Sequence, residues 1–186
     1  SKVFSYWATV NYREAFNLFA SNGILFNHES PIRGETFVTR KVTRAAVKIK
    51  KGSQELLKIG NLNAKRDWGH AKDFVRGIWD ILNYHKPDDF ILATGKQYSV
   101  RDLINISFKV LDIEIDWQGK GLDEKGYNKK NGKKIIEIDP IYFRPSEVDE
   151  LLGDASKAKN TLGWSPKYTF QDMIQEMVEE EIKIPD

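Results

Sequence analysis

"SNGILFNHESPIRGETFVTRK", residues 21–41, sets an apolar run, Ile24, Leu25 and Phe26, directly before four polar residues, Asn27, His28, Glu29 and Ser30. Asn22 and Gly23 are a stop signal for a preceding helix, and a short apolar run bounded in this way reads as a buried strand. The polar cluster then falls at that strand's carboxyl end. In open α/β sheets loops at this end face a shared crevice, and ligands bind there. Further on, Phe37 or Val38, Val42, Ala45 or Ala46 and Ile49 recur at helical spacing before Gly52, which predicts a capped helix, apolar inside and basic outside.

The same reading extends in both directions. Phe4, Trp7, Ala8 and Val10, with Phe16 and Phe19, form an apolar stripe that predicts a first helix. With no initiating Met, the sequence reads as a piece of a larger protein. "LLKI" (56–59) is a further short strand, and "GNLNAKRDWG" (60–69) a polar loop. "HAKDFVRGIWDILNYH" (70–85) is a helix with Phe74, Ile78, Ile81 and Leu82 inward, ended by Pro87. "DFILATG" (89–95) is strand and turn, and Ser99 with Asp102 forms a capping box. "IEIDW" and "KKIIEID" alternate like exposed or edge strands, separated by a Gly-, Lys- and Asn-rich loop at 119–134. Asp154 and Thr169 are candidate N-caps of two final helices, and the acidic end after Met177 reads as a solvated face. Helix alternating with strand argues for the α/β class.

The totals constrain function. At 186 residues and 40% hydrophobic, the chain suffices for one sizeable core or two small ones sharing an interface. Lys and Arg number 29 against 27 Asp and Glu, so a net charge of +2 offers no global field for nucleic acid. The absence of cysteine excludes disulfides and thiolate chemistry and suits a cytoplasmic setting. No apolar run reaches the roughly 18 residues of a membrane span.

Four cationic groups invite comparison: Arg33 with Arg40 and Lys41, Lys48 with Lys50 and Lys51, Lys65 with Arg66, and Arg144. The second lies at a predicted helix C-terminus, where cations complement the dipole and are solvated. The others lie in loops or helix starts beside polar or aromatic neighbours, where arginine can fork onto a diphosphate. His28 stands out among three histidines for its place behind a strand. His70 and Asp73 share a helical face, but no third metal ligand follows at the usual spacing. Neither G-x-G-x-x-G, a Walker loop nor G-x-S-x-G is present. Spacing alone gives an α/β domain with a cationic, polar crevice.

Five segments in order, "NYREAFNLFASNGILFNHESPIRGETFVTRK", "GNLNAKRDWGHAKDFV", "FILATGKQYSVRDL", "YFRPSEVDELLGDASKAK" and "LGWSPK", make the chain resemble the C-terminal part of the GDP-mannose 4,6-dehydratases, extended short-chain dehydrogenase/reductases. The resemblance implies an NADP-binding Rossmann domain interleaved with a smaller mixed α/β substrate-binding domain. Residues 1–186 would supply the end of the first and most of the second, without the cofactor-binding N-terminal half. It implies that the intact enzyme converts GDP-mannose to GDP-4-keto-6-deoxy-mannose by internal hydride transfer and loss of water. The lone fragment would be inactive, and the intact enzyme a homo-oligomer, dimer or tetramer. "SKVFSYW" matches the stretch around the family's catalytic lysine, which would be Lys2, next to the nicotinamide ribose, with its partner tyrosine two residues before the start. By the same resemblance Asn27, Lys41, Arg66, Arg144 and Glu147 face the substrate, while His28 and Arg33 face the cofactor. Ile32 departs from the family, which often has a second arginine there. An epimerase or 4-reductase of the same superfamily, or a non-catalytic nucleotide-sugar or nucleic-acid binding module, are the alternatives.

Overall fold

The computed structural model describes residues 1–142 and 150–185. In chain order the first elements are α1 (Lys2–Phe16), β1 (Gly23–Leu25), β2 (Asn27–Glu29), α2 (Val38–Lys51), β3 (Leu57–Ile59), β4 (Lys65–Arg66) and β5 (Trp68–His70). There follow α3 (Ala71–Leu82), β6 (Phe90–Leu92), β7 (Tyr98–Ser99), α4 (Val100–Lys109) and β8 (Ile115–Gln118). Last come β9 (Lys125–Asn128), β10 (Lys134–Ile138), β11 (Glu150–Leu151), α5 (Ser156–Leu162) and α6 (Phe170–Lys183). The chain divides into two compact units, one of residues 1–28, 67–96 and 152–169, the other of 29–66, 97–151 and 170–186. No helix among the described residues is long and apolar enough to cross a membrane.

In the first unit β1 runs parallel to β6, with Ile24 opposite Ile91. Phe74, Ile81, Phe90, Leu92, Ala158 and Trp164 form its core. Helix α3 reaches that core through Phe74, Gly77 and Ile81, whereas Ile78 is 39% and Leu82 61% exposed, so the inward face differs from the expected one. The reason is Gly77. A Cβ there would stand 2.5 Å from Leu92 Cδ1 and 2.8 Å from Trp164 Nε1, so the helix approaches along its glycine. Helix α1 forms as expected, but none of its residues is buried, and Val3, Phe4, Trp7 and Phe16 stay exposed.

The second unit has a four-stranded sheet in the order β3-β10-β9-β8, with β10 parallel to β3 and antiparallel to β9. Two expectations change here. β10 is a central strand with Ile135 and Ile136 buried, and the expected loop at 119–134 contains β9. Pairing supplies what local propensity lacked, since "KGYN" is a weak strand on its own. The expected polar loop at 60–69 likewise contributes β4, which pairs with β11 and β7.

Helices α2, α4 and α6 of this unit pack on one another. Gly52 caps α2 at φ 83°, and Ser99 and Asp102 complete the capping box of α4. The basic side of α2 is not wholly outside. Arg40 is buried, and its Nε donates to Glu181 Oε2 at 2.8 Å, so the acidic end of α6 also contributes to the interior. A buried charge persists only where a partner meets it.

Candidate functional site

Asn27, His28 and Glu29, expected in a loop beyond β1, instead form a strand of their own, β2, directly after it. Asn27 Nδ2 donates to the Asp67 carbonyl at 3.2 Å. His28 Nδ1 lies 2.9 Å from the Phe26 carbonyl, and its ring is 5.2 Å from that of Phe74. A carbonyl can only accept, so Nδ1 carries the hydrogen and a neutral ring offers Nε2 as an acceptor. Lys2 is exposed at the start of α1. Buried Asp67 fixes the neighbouring turns. Its carboxylate accepts from Thr94 N and Gly95 N, both at 2.9 Å, from Thr94 Oγ1 at 2.7 Å and from Gly153 N at 3.3 Å. His70 and Asp73, the pair weighed as metal ligands, have structural partners. His70 Nδ1 accepts from Lys72 N at 3.1 Å, capping α3, and Asp73 Oδ2 accepts from the backbone N–H groups of Lys167 and Tyr168.

In the second unit Arg33 lies across a turn from Glu29. Its Nε is 3.1 Å from Glu29 Oε2, an ion pair outside hydrogen-bond geometry, and its Cζ is 3.6 Å from the centre of the Phe37 ring. Thr39 Oγ1 donates to the same Glu29 oxygen at 2.6 Å.

Lys41, in the first turn of α2, opens onto a concavity of about 460 Å³ lined also by Glu35, Arg44, Lys48, Lys58 and Tyr142. Its Nζ stands 3.5 Å from the centre of the Tyr142 ring. Burial pushes the Lys41 ammonium below its ordinary pKa, and the Asp139 carboxylate opposes the shift. Partial desolvation strengthens the attraction of an ammonium for a negative group, while neighbouring cations are balanced locally: Arg44 pairs with Glu35, and Lys58 with Glu137 and Asp139. Arg66 lies on β4, where Nη1 donates to the Lys65 carbonyl at 2.8 Å, and Lys65 pairs with Glu150. Arg144 and Glu147 lie outside the described residues.

The structure thus places Asn27 and His28 in β2, just after β1, in one unit, and Lys41 at a hollow of the other. Arg33 and Arg66 belong to the second unit but do not line that hollow. Arg44, Lys58 and Tyr142 were missed. Arg44 had a signal, since it follows Lys41 by one helical turn and shares its face. Lys48, read as a solvated helix end, lines the same hollow. Tyr142 and Lys58 come from distant segments, and no local pattern joins them to α2.

The family model for "GDP-mannose 4,6 dehydratase" matches residues 1–177. The chain is 52% identical over 182 residues to the GDP-mannose 4,6-dehydratase of Sinorhizobium fredii, covering 98% of this chain and 52% of that protein. It is 52% identical to GDP-mannose 4,6 dehydratase 2 of Caenorhabditis elegans, covering 99% of this chain and 48% of that one. Among solved structures, RMD from Pseudomonas aeruginosa, complexed with NADPH, superposes with a TM-score of 0.77 at 16% identity, over 95% of this chain and 52% of that one. The dTDP-glucose 4,6-dehydratase of Bacillus anthracis in complex with NAD gives 0.71 at 19% identity, over 94% and 48%. These likenesses bear out the expected extended short-chain dehydrogenase/reductase fold. The chain spans about half the length of the curated relatives it matches.

Proposed function

Since the chain belongs to the GDP-mannose 4,6-dehydratase family, we propose that the complete protein converts GDP-mannose to GDP-4-keto-6-deoxy-mannose, and that this chain supplies the substrate-binding part. The observation that carries the reading is the unbroken family match through both units. The first unit is then the end of the Rossmann domain and the second most of the substrate domain. NADP is the cofactor and the cytoplasm the setting. The complete enzyme is a homo-oligomer, and this part alone lacks activity.

A bound nicotinamide would supply reversible hydride exchange between C4 and C6 of the mannose. The donor set of this chain fits the polar nicotinamide end: the exposed Lys2 ammonium, the His28 ring and the Arg33 guanidinium. Lys2 would hold the ribose hydroxyls of the cofactor through its ammonium. Asn27 meets the sugar. Lys41, Arg66 and Arg144 neutralise the diphosphate, and Glu147 accepts from hydroxyl or amine donors of ribose or guanine. In the complete enzyme an upstream carboxylate removes the C5 proton, acidified by the ketone, and water leaves from C6.

The test is proton NMR of the complete protein with GDP-mannose and NADP in D2O. A 6-deoxy product with a C6 methyl group and deuterium at C5 supports the reading. An epimer that keeps its C6 hydroxyl, or a 4-reduced sugar, contradicts it.

A further inference from the structure

We infer that Glu29 is a positioning residue for the dinucleotide: it fixes Arg33 as an anion receptor before any ligand arrives, an inference that rests on the reading of Arg33 as a cofactor contact. Glu29 is 3% exposed, and a carboxylate so buried needs charge-assisted partners. Arg33 Nε and Thr39 Oγ1 both converge on its Oε2, at 3.1 and 2.6 Å. Two turns set this up. Arg33 N donates to the Ser30 carbonyl at 3.0 Å, and Phe37 N to the Gly34 carbonyl at 3.1 Å. They fold the chain so that one side of the guanidinium meets the carboxylate while the Phe37 ring covers its face, 3.6 Å away.

The consequence lies in the remaining edge. Among the described residues, the Arg33 terminal nitrogens Nη1 and Nη2 have no hydrogen-bond partner, and the side chain stays 26% exposed. A free arginine loses rotamer entropy when it grips a phosphate. Here the ion pair with Glu29, though outside hydrogen-bond geometry, and the stacking on Phe37 already confine the guanidinium, so its forked Nη pair meets an anionic oxygen with less of that loss. Glu29 therefore acts on the ligand through Arg33 and touches no ligand atom. Phe37 does the same from the other side.

The experiment measures dinucleotide affinity of the complete protein by fluorescence titration with NADPH, for the native form, Glu29→Gln, Arg33→Ala, their double variant and Phe37→Leu. Thermal unfolding of each runs alongside. Glu29→Gln is expected to weaken NADPH binding by about tenfold, the scale of about 1.4 kcal/mol of lost charge pairing and preorganisation. The double variant is expected to bind no worse than Arg33→Ala alone, because Glu29 has nothing left to position. Additive losses would assign Glu29 a general structural role and overturn the inference. If Arg33→Ala weakens binding while Glu29→Gln does not, positioning is overturned and the Arg33 reading stands. If Arg33→Ala binds like the native protein, that reading fails and takes the inference with it. Should Glu29→Gln not fold, Phe37→Leu carries the test on an exposed ring: a loss of about threefold supports it, and native affinity overturns it.

Discussion

Replacing Glu181 by Ala tests the packing that holds α2, and with it Lys41, in place. Glu181 is 5% exposed, and its carboxylate takes Arg40 Nε at 2.8 Å and Arg44 Nε at 3.6 Å. Arg44 keeps a second partner in Glu35. Arg40 is buried, and its other polar contact is a long one, from Nη1 to the Arg33 carbonyl at 3.5 Å. Glu181→Ala therefore strands a guanidinium in the interior, which costs about 3–5 kcal/mol. At about 1.4 kcal/mol per factor of ten, amide exchange in α2 and α6 should speed up about a hundredfold to several thousandfold. Hydrogen-exchange mass spectrometry of the complete protein reads this locally, without assuming two-state unfolding. The double variant Arg40→Met, Glu181→Met should recover most of the protection, because methionines of similar volume leave no buried charge. Less than about a tenfold change in Glu181→Ala, or a double variant as labile as the single one, would refute the argument.

Two further outcomes follow from the first unit. The Arg13 guanidinium holds the Asp89 carboxyl well below the usual carboxylate range, helped by Asn22 and opposed by partial burial. A folded-state value below the unfolded one, about 3.9, means stabilisation that is full above that pH and lost as pH falls toward the folded value. Asp89→Asn should therefore lower the urea midpoint at pH 7, by about 1–3 kcal/mol in stability, with the gap from native closing below about pH 4; a gap independent of pH would contradict this. Gly153→Ala would put a Cβ 2.1 Å from Ala93 Cβ and 3.0 Å from Phe26 Cε2, overpacking that costs about 1–3 kcal/mol. A thermal midpoint unchanged from native would show that these neighbours yield.

What the sequence revealed was local. The caps of α2 and α4 lie within a few residues of their helices, and Gly52, Ser99 and Asp102 announced them. Strand β9 was hidden because "KGYN" acquires its β character from β8 and β10 on either side. The Arg40–Glu181 pair joins residues 141 apart in sequence, so an acidic tail looked like a solvated face. The candidate site divides in the same way. Asn27 and His28 were legible as polar residues behind a strand. Lys41 and Arg66 stood out as members of cationic groups beside polar or aromatic neighbours, but only the family resemblance singled them out as substrate contacts, since spacing leaves a basic residue on a helix or loop ambiguous. Nothing local could show that Lys41 meets Tyr142, because the turn at 140–142 is brought to it by β10 and its parallel partner β3.

Lys41 is proposed above as a contact for the diphosphate of GDP-mannose. Calorimetric titration of the complete protein with GDP-mannose and with UDP-glucose, for the native form and for Lys41→Met, tests it most directly. The account predicts binding of GDP-mannose in preference to UDP-glucose, and a loss of about tenfold or more in Lys41→Met, as expected for a desolvated charged contact. Equal affinity for the two nucleotide sugars, or a Lys41→Met variant that binds GDP-mannose like the native protein, would contradict it.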